Sequence, residues 1–169
     1  MMNEYDSSQM ALAAKAVYSA HGSMDRKAYG LKELSEDDLL GLGFQQTLID
    51  EIMSDLGAPG FAAAIFQDFS AGPERYILAF RGTDDPSDWG DNIAQGVGIG
   101  SAQYARAIDI AFQLQNLLPE GSWVTAGHSL GGGLASAAAV VADVEGYTFN
   151  SAGLHRNTIT AYPGAEDRY

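Results

Sequence analysis

The chain of 169 residues contains no cysteine. That absence excludes disulfides, thiol nucleophiles and cysteine metal sites together. Positive charge is scarce as well: 9 Lys and Arg stand against 22 Asp and Glu, a formal net charge of −13. A surface of this sign repels phosphate backbones, so nucleic acid is set aside as a partner. The acidity favours solubility, and a lipid surface would have to be met through apolar contacts. No apolar run reaches the roughly 18 residues of a membrane span. The opening MMNEYDSSQM carries Glu4 and Asp6 but no Lys or Arg, unlike the basic start of a secretory signal. The expectation is a protein that is cytoplasmic or exported by a leaderless route. Internal repeats and low-complexity stretches are also missing.

Apolar residues make up 46 % of the chain, sufficient for one real core. The expected organisation is a single domain over 1–169, with a helical lead-in at 1–60 and a sheet with its catalytic turn at 61–155. Met10, Ala13, Ala14, Val17 and Tyr18 recur at helical spacing and predict a helix over about 7–20. Ser35 followed by Glu36-Asp37-Asp38 reads as an N-cap with a charged first turn. A short helix follows, broken near Gly41 and Gly43, and another fits 45–56. Phe61 to Phe69 and Arg75 to Phe80 read as strands joined by a hairpin turn. The second is apolar throughout, which suits a central strand covered on both faces. Residues 82–100 read as a long irregular loop, and loops of that length usually have a function. Ser101 to Leu118 reads as a helix, Ser122 to Ala126 as a strand, Leu130 to Asp143 as a helix of small residues and Tyr147 to Asn150 as a last strand. Strand, helix, strand in this order is a βαβ unit.

The chemistry concentrates at Gly127-His128-Ser129-Leu130-Gly131. A serine hydroxyl is a poor nucleophile unless a base stands beside it and donors await the oxyanion it creates. Gly-x-Ser-x-Gly between a strand and a helix puts the serine on a tight, strained turn. The helix that follows aims free N–H groups and the positive end of its dipole at the site. Ser129 is therefore the candidate nucleophile and the Leu130 N–H an oxyanion donor. His128 adjoins the serine, but neighbours on such a turn point apart, so it reads as a support rather than the base.

Two blocks carry a family resemblance: Val124-Thr125-Ala126-Gly127-His128-Ser129-Leu130-Gly131-Gly132, and Ala79-Phe80-Arg81-Gly82-Thr83 with Asp88-Trp89 and Asn92-Ile93 downstream. With Tyr147 to Gly153 they cover about residues 60–155. The sequence resembles the class 3 lipases, the family of the fungal triacylglycerol lipases and their bacterial relatives. The resemblance implies an α/β-hydrolase-type central sheet flanked by helices, incomplete at the C-terminal side. It implies hydrolysis of carboxylic esters of lipids through an acyl-enzyme on Ser129, with no metal or cofactor. It makes Thr83 the second oxyanion element and places a lid from Asp84 to about Ile93, with Trp89 in it as a lid or substrate contact. Asp84, Asp85, Asp88 and Asp91 make that lid unusually acidic.

In this fold the triad runs Ser, then Asp or Glu, then His. Few residues after Ser129 qualify: Asp143, Glu145, His155, Glu166 and Asp167. Asp143 falls at the far end of the helix, roughly 20 Å from its start. His155 follows a strand but precedes any fitting acid, and Glu166 and Asp167 lie in what reads as a tail. The first expectation is that a C-terminal partner segment or chain supplies the acid and base. The alternatives are a non-catalytic interaction module that keeps the fold, a minimal hydrolase using His155, or another acyl hydrolase such as a thioesterase or peptidase.

Overall fold

The computed structural model describes residues 7–19, 30–54, 60–70, 75–82 and 97–168. Among these, five strands form one mixed sheet in the order β1-β2-β3-β4-β5. They are β1 (Leu31–Glu33), β2 (Ala63–Asp68), β3 (Tyr76–Phe80), β4 (Trp123–His128) and β5 (Gly146–Phe149). Strand β2 runs antiparallel to its neighbours β1 and β3, whereas β3, β4 and β5 run parallel. The helices are α1 (Ser7–Ala16), α2 (Glu36–Gly41), α3 (Gln46–Met53), α4 (Val97–Leu117), α5 (Leu130–Ala142) and α6 (Ala165–Arg168), with a 3-10 turn at Arg156–Thr158. This is the expected α/β architecture. No helix of the described residues is long and apolar enough to cross a membrane.

Strand alternation sorts the core into two layers. Ala63, Ile65, Leu78, Phe80 and Trp123 face the layer that holds α2 to α5, with Leu39, Ile49, Ala111, Leu114, Leu134 and Ala138. Ala64, Phe66, Ile77, Ala79, Val124 and Ala126 face α1 and the turn after it, through Met10, Ala13, Ala14 and Val17. Every residue of β3 is buried, as its unbroken apolar run predicts. Each large side chain buried this way contributes roughly 1.5–3 kcal/mol. The two parallel crossovers advance across the sheet in one direction, and α4 and α5 pack together on the same face. The small residues of α5 let it lie close to the sheet: Thr125 reaches from β4 to donate to Ala135 O of α5 at 2.9 Å.

Four expectations change. Strand β1 was not foreseen, because three residues are too few to show a period. Helix α4 starts at Val97 rather than Ser101; Gly98 and Gly100 read as loop residues, yet the backbone is already helical there. The ends of α1 and α3 fall short of 20 and 56, at Ala16 and Met53. The C-terminal segment is no tail: Ile159 and Ala165 are fully buried against Ile108, Ala137 and Val141. Arg168 closes this layer by donating to Val140 O and Val141 O at the end of α5. The predicted cap at Ser35 is present, with its hydroxyl accepting from Asp38 N–H and Asp38 Oδ2 accepting from Ser35 N–H.

Candidate active site

Strand β4 ends at His128 and α5 begins at Leu130, so Ser129 alone makes the turn. It does so at φ 62°, ψ −128°. This is the mirror image of an extended conformation, natural to glycine and strained for any residue with a Cβ. Backbone hydrogen bonds hold the strain in place. Ser129 N–H donates to Phe149 O at 3.1 Å, while Ser129 O accepts from Gly132 N–H at 3.0 Å and from Ala152 N–H at 2.9 Å. The elbow is thus clamped between its own helix and the segment leaving β5.

The neighbouring glycines are steric necessities. A Cβ on Gly127 would run into Gly131 O, and one on Gly131 into Phe80 O at the end of β3. A Cβ on Gly132 would lie 2.5 Å from the Cβ of Ser151. These contacts are possible only because three backbones converge where β3, β4 and β5 end. The half-buried Ser129 makes no capping hydrogen bond with its side chain. By helix geometry the Leu130 and Gly131 N–H groups at the start of α5 have no carbonyl partner within the helix. One turn on, the hydroxyl of Tyr104 lies against Gly133; burial pushes this phenol above its ordinary range.

Thr83 and Trp89, and with them the whole lid segment from Asp84 to Ile93, lie outside the described residues. The residue just before Thr83 is described. A Cβ on Gly82 would sit 2.6 Å from His128 O, 2.6 Å from Tyr18 Oη and 3.1 Å from Ser129 Cβ. The chain that leads to Thr83 therefore passes directly beside the serine. Gly82 N–H donates to Tyr18 Oη at 3.1 Å, and the same oxygen lies 3.3 Å from His128 Nδ1. The rings of Tyr18 and His128 meet edge-on, 6.2 Å apart at 63°. Sequence reading placed Tyr18 only on the apolar stripe of a helix; periodicity carries no sign of what a hydroxyl at the end of that stripe will touch.

The remaining acid and base candidates are not gathered at this point. Asp143 is the left-handed C-cap of α5, at φ 57°, with Arg168 Nε 3.8 Å from its carboxylate. It belongs to the opposite end of the helix from Ser129. Glu145 precedes β5 and accepts from Tyr147 Oη at 3.0 Å. His155 is exposed and caps the 3-10 turn, its Nδ1 accepting from Asn157 N–H at 3.2 Å. A neutral imidazole used in this way carries its proton on Nε2 and has no second nitrogen free to accept one. Asp167 is exposed on α6, and Glu166 lies in the same turn of helix. A cleft of about 530 Å³ opens at the other end of the sheet, lined by Arg75, Gln115, Trp123, Asp143 and Glu145 among others. It is far from the strained serine, and its lining offers no hydroxyl or thiol nucleophile.

Comparison with known proteins agrees with this geometry. Residues 9–168 match the model of a phospholipase-like family, the Tle-like phospholipase domain. The chain is also 37 % identical over 150 residues to a protein of Serratia liquefaciens named extracellular phospholipase A1. That alignment covers 89 % of this chain and 43 % of the relative, so the chain spans less than half the length of the protein it matches.

Proposed function

The chain belongs to the Tle-like phospholipase family, and on that premise we propose that it is the nucleophile-bearing part of a serine phospholipase. The observation that carries the reading is Ser129 itself, held at φ 62° on a strand-to-helix turn with a helix N-terminus beneath it. In the proposed reaction Ser129 Oγ attacks the ester carbonyl of a glycerophospholipid and its proton passes to a histidine base. The carbonyl oxygen becomes an oxyanion, held by the Leu130 N–H and by Thr83. Collapse expels the lysophospholipid alcohol, which takes the proton from the base, and leaves the fatty acyl group on Ser129. Water then hydrolyses the acyl-enzyme by the same steps in reverse roles. The name of the Serratia relative favours cleavage of the acyl ester at the first glycerol carbon.

The base and acid of the triad are assigned to a segment outside this chain. The capping role of His155 and the remote position of Asp143 support that assignment, as does the fraction of the relative that the alignment covers. Asp84 to Ile93, with Trp89, is the proposed lid. The narrower kinship to class 3 lipases, and the treatment of 1–169 as one domain with a helical lead-in, belong to the same proposal. Release of fatty acid and lysophospholipid from phosphatidylcholine vesicles by the full-length protein tests it. Ser129→Ala is expected to lower that rate by at least about ten-thousand-fold. An unchanged rate in Ser129→Ala would remove the serine mechanism.

A further inference from the structure

Strand β5 breaks its own register beside the serine. In the parallel ladder Thr125 stands opposite Gly146 and donates to Glu145 O at 3.0 Å, the residue before its partner. Gly127 opposite Thr148 and His128 opposite Phe149 continue the same register. Extended by one step, it puts Ser129 opposite Asn150. Ser129 N–H then donates to Phe149 O, as it does at 3.1 Å. Ser129 O would accept from Ser151 N–H, but its donor is Ala152 N–H at 2.9 Å. One residue more than the ladder needs is taken in here, and Asn150 stands at φ 44°. This is a β-bulge with a left-handed residue, the place glycine usually takes.

A bulge next to a site re-aims the side chains it carries. Asn150 and Ser151 are both exposed, and no hydrogen bond commits either side chain to another described residue. Ser151 is backed by the first turn of α5, with its Cβ against Gly132. Gly82 borders Ser129 from the end of β3. Because β4 lies between β3 and β5, the bulge flanks the serine on the other side.

We propose that Asn150, with Ser151 beside it, is the specificity-determining contact of this site for the phosphoglycerol half of the substrate. The inference rests on the serine phospholipase reading above. That reaction needs donors for the oxyanion, an apolar path for the acyl chain and polar partners for the lysophospholipid that leaves. A carboxamide and a hydroxyl donate hydrogen bonds and offer a methylene chain nothing. Phosphodiester oxygens are anionic acceptors, to which such bonds are roughly twice as strong as to neutral ones. Glycine would hold the left-handed backbone at less cost and bind nothing. Asparagine tolerates that backbone and adds the donors.

Asn150→Gly in the full-length protein keeps the left-handed backbone, relieves its strain and removes only the carboxamide. Rates are compared on soluble esters of the same fatty acid: dihexanoyl phosphatidylcholine below its micelle concentration, and p-nitrophenyl hexanoate. The substrates differ in the alcohol that leaves. The ratio of kcat/KM for the phospholipid to kcat/KM for the nitrophenyl ester is expected to fall about ten- to a hundredfold. Asn150→Asp keeps the shape, sets an anion against the phosphate and should lower the ratio further. A ratio in Asn150→Gly within about twofold of the wild type overturns the proposal, whether both rates fall together or neither does. A ratio in Asn150→Asp at or above that of Asn150→Gly overturns it as well. Binding without turnover is the second measurement. In isotope-labelled Ser129→Ala the Asn150 carboxamide protons should shift as dihexanoyl phosphatidylcholine is added; unmoved signals overturn the proposal. If the wild type hydrolyses neither ester, the phospholipase reading fails, and the titration still decides whether Asn150 meets the lipid.

Discussion

The same three parallel strands end in two very different ways. At their C-terminal ends lie a strained serine, glycines that admit no side chain and helix N–H groups pointing outward. At their N-terminal ends lies a cleft of about 530 Å³ lined by Arg75, Trp123 and Glu145. The second end has the open volume of a cleft. By chemistry it offers nothing that attacks an ester. Strain and convergence of backbone, rather than open space, mark the end of the sheet at which the proposed chemistry is placed. Strained residues persist only where surrounding structure over-determines them, and here Phe149, Gly132 and Ala152 all hold Ser129.

Substitutions at the two ends sharpen that contrast. The largest effect is expected from Gly131→Ala, whose Cβ would meet Phe80 O, a backbone atom that cannot swing aside. A loss of about 3 kcal/mol is expected in urea denaturation; a loss below about 1 would mean that the elbow is looser than described. Ser129→Gly should act in the opposite direction, raising stability by about 1 kcal/mol as the positive φ ceases to be strained, while hydrolysis disappears. Stability gained where function is lost is the signature of a strained site.

Away from both ends, Asp38→Ala should cost about 1 kcal/mol through loss of its part in the cap and leave kcat unchanged. The Lys32 ammonium, 2.6 Å away, and the Ser35 N–H hold this carboxyl down from 3.8 to about 2. A carboxyl whose folded value lies below its unfolded value adds stability that is fully present above about pH 4. That increment is lost as pH falls through about 2. The wild type, but not Asp38→Ala, should show this loss in acid denaturation. Smallest of all is Glu145→Gln on the cleft wall, expected to leave kcat within about twofold. A tenfold fall there would break the contrast between the two ends.

Legibility in the sequence followed the range of the forces involved. The run Tyr76 to Phe80 announced a fully covered strand because every residue in it is apolar. Gly127 to Gly131 announced the elbow because the turn constrains its own residues. Ser35 and Asp38 announced their cap three positions apart. What stayed hidden depends on partners distant in the chain. Leu31–Glu33 is a strand only because Phe66 to Asp68 pairs with it. Ile159 and Ala165 are core residues only because α4 and α5 present Ile108, Ala137 and Val141 to them. Tyr18 meets Gly82 across 64 positions, a distance over which no spacing rule operates. His155 Nδ1 accepts from Asn157 N–H, a contact that the place of His155 after a strand does not announce.

The central claim is that Ser129 carries the acyl group. It is tested most directly by incubating the full-length protein with a short-chain p-nitrophenyl ester, quenching with acid within the first turnovers and mapping the acyl mass by peptide mass spectrometry. One acyl adduct is expected, on the peptide that contains Ser129, absent from Ser129→Ala. Turnover with no adduct at Ser129, or an adduct on another residue that persists in Ser129→Ala, would contradict it.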